Sequence, residues 1–529
     1  MKLNSICLIG AGLLLVAAWS CRKQSDVLMS YDHDEELVFD AADSSFADKF
    51  DILWNGLNQY YALWDYEEEQ GLNWDAVYDK YYPKFQALDK RGVLDAVTDD
   101  ELSALLYEFL SPLLDGHLYY SFKNHKTGTT VRCQPGVVRL SKRDDYQVVR
   151  SSYPNLNYYA NPANGEVETD SDGNPLSIQY STQPQDLLNI FTKTPGLGGQ
   201  WLVDKVHELQ ALPSLTDLQA YQLQQLKDLS AAMTSMNGKS MAEAVSIYNS
   251  LQARYSFLEI PGFDYIDPAF AKSSGLAIKY ALLKGNIAYL GFSSFDLTSY
   301  LEEARSERDF DLTRPETKRH VERVRQAWQS WFDSVQTLHK NGTLGGVIID
   351  VRYNGGGNMN DSKYVVGSLV PAGGLHYGYQ RFKRGPGRYD FSPVMPGIVL
   401  TMSDPHETIT EPVAILVNCT SVSMSETSAL CVKTLPKGTV IGKRTFGAIC
   451  ALVSNDAFSY NYSGMIGIDG VTCVFGHVPS MAAFTLDKEL IESTGIAPDI
   501  EVDFDLDLYK ASGRDTQLER ALQFLRSGK

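Results

Sequence analysis

The second half of the chain predicts an α/β fold with several parallel strands, and three observations carry that expectation. Residues 285–292, 347–351 and 413–417 are short apolar runs with nothing polar inside the last two except Asp350, as in strands buried on both faces. Between the first two lies a long amphipathic stripe, Val321, Val324, Trp328, Trp331, Val335 and Leu338, at helical spacing and stopped by Asn341-Gly342. After the third come a serine-rich turn at 419–423, a helical segment to about Leu435 halted by Pro436 and Gly438, and another strand at Thr439-Val440-Ile441. Strands that alternate with helices in this way favour a parallel sheet.

Taken from its start, the chain opens with Met1-Lys2 and an apolar run from Ile6 to Ala18 that closes on Ala18-Trp19-Ser20-Cys21. The run is too short to span a bilayer and reads as a signal peptide, residues 1–20. A cysteine directly after a small residue resembles a bacterial lipobox, so Cys21 is expected to carry a lipid anchor. Residues 21–45 are polar and acidic, as a tether would be. From 46 to 125 the pattern is that of a helical bundle. Phe50, Leu53, Trp54, Leu57, Tyr60, Tyr61 and Trp64 recur every three or four residues, and further helices are expected at 74–88 and 99–114. Thr98-Asp99-Asp100-Glu101 supplies a capping-box start to the last of these. Such aromatics read as core rather than as a ligand cage.

Residues 126–275 read as a mixed insert. Strands are expected at 137–140 and 146–149, and helices at 216–229 and 241–255. Asp170-Ser171-Asp172-Gly173-Asn174 lacks the rest of a calcium loop and reads as a turn. Pro195-Gly196-Leu197-Gly198-Gly199 has no strand–loop–helix context and reads as a loop. The α/β core is expected over 276–510, with a strand at 474–478 bent at Gly476, and a short helix marked by Leu518, Leu522 and Leu525 over 511–529.

Composition narrows the function. A formal charge of −18 over 529 residues leaves no basic face for phosphates, so nucleic acid is not an expected partner. Beyond Cys7 and Cys21, the cysteines at 133, 419, 431, 450 and 473 are odd in number and show no CxxC spacing. They read as small buried residues, with neither a disulfide framework nor a zinc site implied.

The chemistry centres on 413–447. A strand, a tight turn with serine and a helix would lift a hydroxyl above the sheet at a helix N-terminus, where the local dipole favours developing negative charge. Ser423 and Glu426 also have capping-box spacing, which by itself would only start a helix. Gly355, Gly356 and Gly357 follow the strand at 347–351, and glycines there allow backbone to approach a substrate closely.

Ser421-Val422-Ser423-Met424-Ser425-Glu426 resembles the T-A-S-A-S-E signature of the S41 serine peptidases, the tail-specific or C-terminal processing family. Gly442-Lys443-Arg444-Thr445-Phe446-Gly447 is similar to the family's G-x-x-T-F-G. The run from Asp350 to Gly357, DVRYNGGG, is similar to its D-L-R-x-N-x-G-G, and 495–502 to its G-x-x-P-D-x-x-V ending. The resemblance implies a crotonase/ClpP-like peptidase core, a peptide or protein substrate and no cofactor or metal. It makes Ser423 the nucleophile, with Ser425 as the fallback, and Gly356 and Met424 N–H the oxyanion-hole donors.

Tail-specific members place a lysine directly after T-F-G, and that position here is Ala448. Lys443 lies earlier, on or beside the strand. A second branch, resembling the tricorn protease core, takes a histidine from before the core. Asp115-Gly116-His117 is similar to the D-G-H of those relatives, so His117 is the expected base and Glu492 the carboxylate that orients it. Many relatives carry a PDZ domain, and no such pattern is found here. Asp350 reads as an ion-pair or loop anchor, and His477 as a surface or core residue. The expectation is an exported, lipid-anchored serine peptidase of a bacterial cell envelope. The alternative is a peptide-binding lipoprotein that has kept the scaffold and lost the chemistry, which Ala448 favours.

Overall fold

The computed structural model describes residues 44–151 except 93–94, isolated stretches between 157 and 235, 276–451 except 277, 386 and 404, and 464–527 except 469 and 513. The leader, Cys21, the turn at 170–174, the glycine-rich stretch at 195–199, most of 216–229 and all of 241–255 lie outside the described residues. No helix among the described residues is long and apolar enough to cross a membrane.

Among the described residues four helices come first: α1 Phe46–Tyr60, α2 Trp64–Glu69, α3 Trp74–Asp89 and α4 Asp99–Leu110. Ser45, Asn73 and Thr98 each accept a backbone N–H of the turn they open, which fixes three of the four starts. The fourth helix ends at Leu110, earlier than the expected 114: the Ser111 N–H still reaches the Tyr107 carbonyl, and Pro112 has no N–H to continue the ladder. The aromatic stripe is core: Phe50 meets Phe85 at 4.8 Å and Phe109 at 5.0 Å between ring centroids, and Phe109 stacks on Trp74.

Strands β1 Tyr119–Lys123 and β2 Thr130–Cys133 follow, then helices α5 Pro135–Leu140 and α6 Asp144–Ser151. Both helices stand where strands were expected. Pro135 occupies the first turn of one, where its missing N–H costs nothing, and Asp144-Asp145 open the other, where acidic side chains suit the dipole. Tertiary contacts complete the override. From this segment Arg139 donates to the carbonyls of Leu113, Leu114 and Asp115, and Arg143 to those of Arg444 and Thr445.

The α/β core has the expected parallel strands. It contains β3 Ile278–Leu283, β4 Ile287–Phe292, the helix α7 Pro315–Lys340 and β5 Gly346–Asp350. Next come β6 Leu375–Phe382, β7 Met395–Val399, β8 Val413–Val417, the helix α8 Met424–Thr434 and β9 Gly438–Gly442. The chain then forms β10 Met465–Ile466, β11 Val474–His477, β12 Met481–Phe484, β13 Ile500–Glu501 and the helix α9 Thr516–Ser527. The main sheet has the order β13-β9-β8-β5-β4-β3, parallel throughout except for the β3–β4 hairpin. One face packs on α7 and α8 through Trp331, Val335, Val347, Ile415 and Cys431. The other face takes α9 through Leu518, Ala521 and Leu522.

A second sheet, β10-β11-β1-β2, joins the ends of the chain. Ile466, Val474, Val478, Ala482 and Phe484 sit in the same core cluster as the N-terminal helices. That shared core is what brings the connector after α4, which carries His117, to the C-terminal end of β8. The five cysteines of the described residues are buried and unbridged.

Candidate active site

Ser423 lies between β8 and α8 with φ 59° and ψ −115°. A non-glycine residue rarely holds such backbone, and it marks a sharp strand-to-helix turn of the kind that presents a nucleophile. Three fixtures impose it. The Ser423 N–H lies 3.0 Å from the Ala448 carbonyl and 3.1 Å from Glu426 Oε2. The preceding Val422 N–H donates to the Asn354 carbonyl. Ser425 is different. It is fully buried and its hydroxyl donates to the Asn354 carbonyl at 2.8 Å, so the fallback nucleophile is a structural tie.

Glu426 holds the opposite wall. Its Oε1 accepts the Thr445 hydroxyl at 2.6 Å and the Gly447 N–H at 2.8 Å. Its Oε2 accepts the Ala448 N–H at 2.8 Å as well as that of Ser423. Burial pushes this carboxyl up, and those donors pull it back. Glu426, seen in the sequence as a helix cap, fastens the whole 445–448 turn to the nucleophile.

His117 sits in the connector between α4 and β1 and keeps 16 % of its side chain exposed. Burial, and then the charge of His477, push its imidazole down to about 4, so the ring is neutral near pH 7. The residue before it, Gly116, is pressed against Ala448. A β-carbon on Gly116 would fall 2.5 Å from the Ala448 methyl and 3.1 Å from Phe446 Cε1. Ala448 therefore touches both halves of the site: its carbonyl holds the Ser423 backbone and its methyl lies on the residue preceding the histidine. Among the described residues no hydrogen bond joins the His117 ring to the Ser423 hydroxyl.

Glu492 is buried at 2 % exposure, not a surface carboxylate. Its Oε1 accepts the Gly116 N–H at 2.8 Å, and its Oε2 accepts those of Ile449 and Cys450, each at 2.9 Å. Asp115, Glu492 and His117 bring side-chain oxygens and a ring nitrogen within 4.8 Å of one another. Desolvation raises both carboxyls, and each also feels negative charge, Asp115 from Glu492 and Glu492 from Glu426. As a metal site the trio is weak. Glu492 already accepts three backbone N–H groups, which leaves Asp115 and His117 as free ligands, short of the three or four protein ligands zinc takes.

Gly356 lies against Ser423, where its β-carbon would come within 2.6 Å of the serine's. Its φ of 88° is one that a side chain strains. Its N–H, however, donates to Asn354 Oδ1 at 2.9 Å and so is not free for an oxyanion. The Gly356 carbonyl accepts the Phe295 N–H at 2.8 Å. Across the planar trans peptide the Gly357 N–H points the opposite way. The Met424 N–H is at the first turn of α8, where a helix offers no acceptor.

Lys443 is spoken for: its ammonium lies 2.7 Å from Glu501 and 2.8 Å from Asp503. Asp350 anchors the core. With Arg352 and Asp515 it forms a buried ion network, closed at 2.7 Å on each side of the guanidinium. Tyr289 donates to the same aspartate at 2.9 Å. His477 pairs in register with Tyr119 in the second sheet.

Residues 286–502 match the sequence profile of peptidase family S41. No curated protein matches the chain. Among solved structures, a putative peptidase from Parabacteroides merdae ATCC 43184 is 20% identical, covering 92% of this chain and 98% of its own, with a TM-score of 0.46. Mature CPAF complexed with lactacystin is 11% identical over 92% of this chain and 99% of its own, TM-score 0.44. A photosystem II D1 C-terminal processing protease is 15% identical over 92% and 98%, TM-score 0.35. Residues 286–502 are thus similar to peptidase family S41, and that match supports a serine-type peptidase.

Proposed function

We propose that the chain hydrolyses peptide bonds as an endopeptidase or carboxyl-terminal processing peptidase, with Ser423 as nucleophile and His117 as base. The reading rests on Ala448, which packs against Gly116 while its carbonyl holds the Ser423 N–H. In this mechanism the Ser423 hydroxyl attacks the scissile carbonyl as its proton passes to the neutral imidazole. The oxyanion is met by the Met424 N–H, with Gly357 in place of the committed Gly356 N–H. The imidazolium then protonates the leaving amine, and water releases the acyl group by the same route. The leader and Cys21 support an exported protein held by lipid at a bacterial envelope membrane.

A serine-directed fluorophosphonate tests the chemistry. It should label the wild-type chain and fail on Ser423→Ala. Equal labelling of the two, or none of the wild type, favours the peptide-binding alternative. Cys21→Ser should release the protein from membrane fractions, and retention there would exclude lipidation at this residue.

A further inference from the structure

We propose that Asp115, rather than Glu492, is the carboxylate that orients the His117 imidazole. The inference rests on the assignment of His117 as base, and it comes from which acceptors are still vacant. Glu492 spends both oxygens on the N–H groups of Gly116, Ile449 and Cys450. It is a brace that ties the histidine connector to the 449–450 backbone. Asp115 is fully buried and accepts one N–H, that of His117 itself, at 2.6 Å through Oδ1. Its Oδ2 has no partner, and neither has His117 Nδ1.

Two buried, unpartnered polar atoms rarely share one site without a reason, since each costs about 1–3 kcal/mol. Here they belong to neighbouring side chains: His117 Nδ1 lies 4.0 Å from Asp115 Oδ1. A small rotation of the ring or carboxyl, of about 1 Å at the atoms, would make a hydrogen bond. Catalytic hydrogen bonds are often long without substrate and tighten when it binds. With Nδ1–H held by Asp115, Nε2 is the lone pair left to take the Ser423 proton.

The surroundings keep Asp115 in place. Arg139, from α5, donates to its carbonyl at 2.9 Å and to those of Leu113 and Leu114. The charged and titratable groups around the carboxyl are Glu492, Glu67 and Arg139, with the buried phenols of Tyr61 and Tyr120 nearby. Tyr120 Oη is itself without a partner. Asp115 is thus a positioning residue, acting on the reaction through His117.

The test is the tautomer and proton of His117 in the full chain, read by NMR on protein labelled with nitrogen-15 histidine and assigned with His117→Gln. Wild type should show Nδ1 protonated, and a peptide-aldehyde inhibitor should move that proton downfield. In Asp115→Asn the signal should be lost, kcat should fall about 10³–10⁴-fold with KM little changed, and the unfolding temperature should stay near wild type. Glu492→Gln should keep the Nδ1 proton and lower the unfolding temperature. An Nε2-protonated wild-type ring overturns the proposal even if no variant folds. So does a proton that survives Asp115→Asn and disappears in Glu492→Gln. If wild type shows the Nδ1 proton but neither hydrolyses peptides nor takes the fluorophosphonate, the peptidase mechanism fails and the positioning by Asp115 stands.

Discussion

Gly116 and Ala448 are packed so tightly that a β-carbon on the first would fall 2.5 Å from the methyl of the second. The tail-specific lysine position is therefore filled from outside by the connector that carries His117. A lysine at 448 would have to displace that connector, and Ala448 is fully buried. Ala448→Lys should not build a Ser–Lys dyad. It should lower stability on the order of 3 kcal/mol in urea unfolding and abolish hydrolysis. A stable, active Ala448→Lys would show that the two loops are not in contact.

Lys443 is the other lysine near the turn, and Glu501 and Asp503 hold it at the end of β9. Lys443→Ala should keep kcat/KM within a few-fold of wild type. A loss of 10²-fold or more would make it the base.

Arg352 joins Asp350, at the end of β5, to Asp515, just before α9. Arg352→Met removes the cation and leaves two buried carboxylates facing each other. The cost should be about 3–5 kcal/mol in denaturant unfolding. A change under about 1 kcal/mol would mean that α9 is not docked through this network.

Glu67 gives a stability test with a definite sign. Burial raises its carboxyl from 4.5 to about 7, although Tyr61 and the Leu114 N–H donate to it. The folded state therefore binds a proton that the unfolded chain has released, so its share of stability is complete below the unfolded value and lost as pH rises towards 7. The unfolding free energy of wild type minus that of Glu67→Gln should fall by about 3 kcal/mol between pH 4.5 and pH 7. His117 and His320, both lowered to about 4, act in the opposite sense and cancel in this difference. A flat difference, or one that rises with pH, would contradict the burial of an ionisable Glu67.

Much of the core was legible because its signals are local. Runs such as Val413–Val417 are long enough to declare a buried strand, and α7 shows its stripe over about five turns. Ser423 was legible because a turn, a cap and a helix adjoin in sequence. The segments 137–140 and 146–149 were misread because four residues, three of them apolar or aromatic, fit a strand or a helix equally well. Pro135 and the arginine contacts to distant carbonyls decided the matter. Asp115 stood in the quoted D-G-H, yet nothing local separates it from Glu492 as the histidine's partner. That choice depends on which oxygens are occupied, and the occupants, Ile449 and Cys450, are remote in sequence. The loss of Gly356 N–H to Asn354 is likewise a matter of side-chain orientation that composition does not carry.

The central claim is that Ser423 and His117 act as one unit, and hydrolysis of a peptide substrate by single and double variants tests it most directly. Ser423→Ala and His117→Ala should each reduce kcat by at least the 10²–10⁴-fold expected for a lost general base, and the double variant should be little worse than either. Losses that multiply in the double variant, or a His117→Ala enzyme with wild-type kcat, would contradict it.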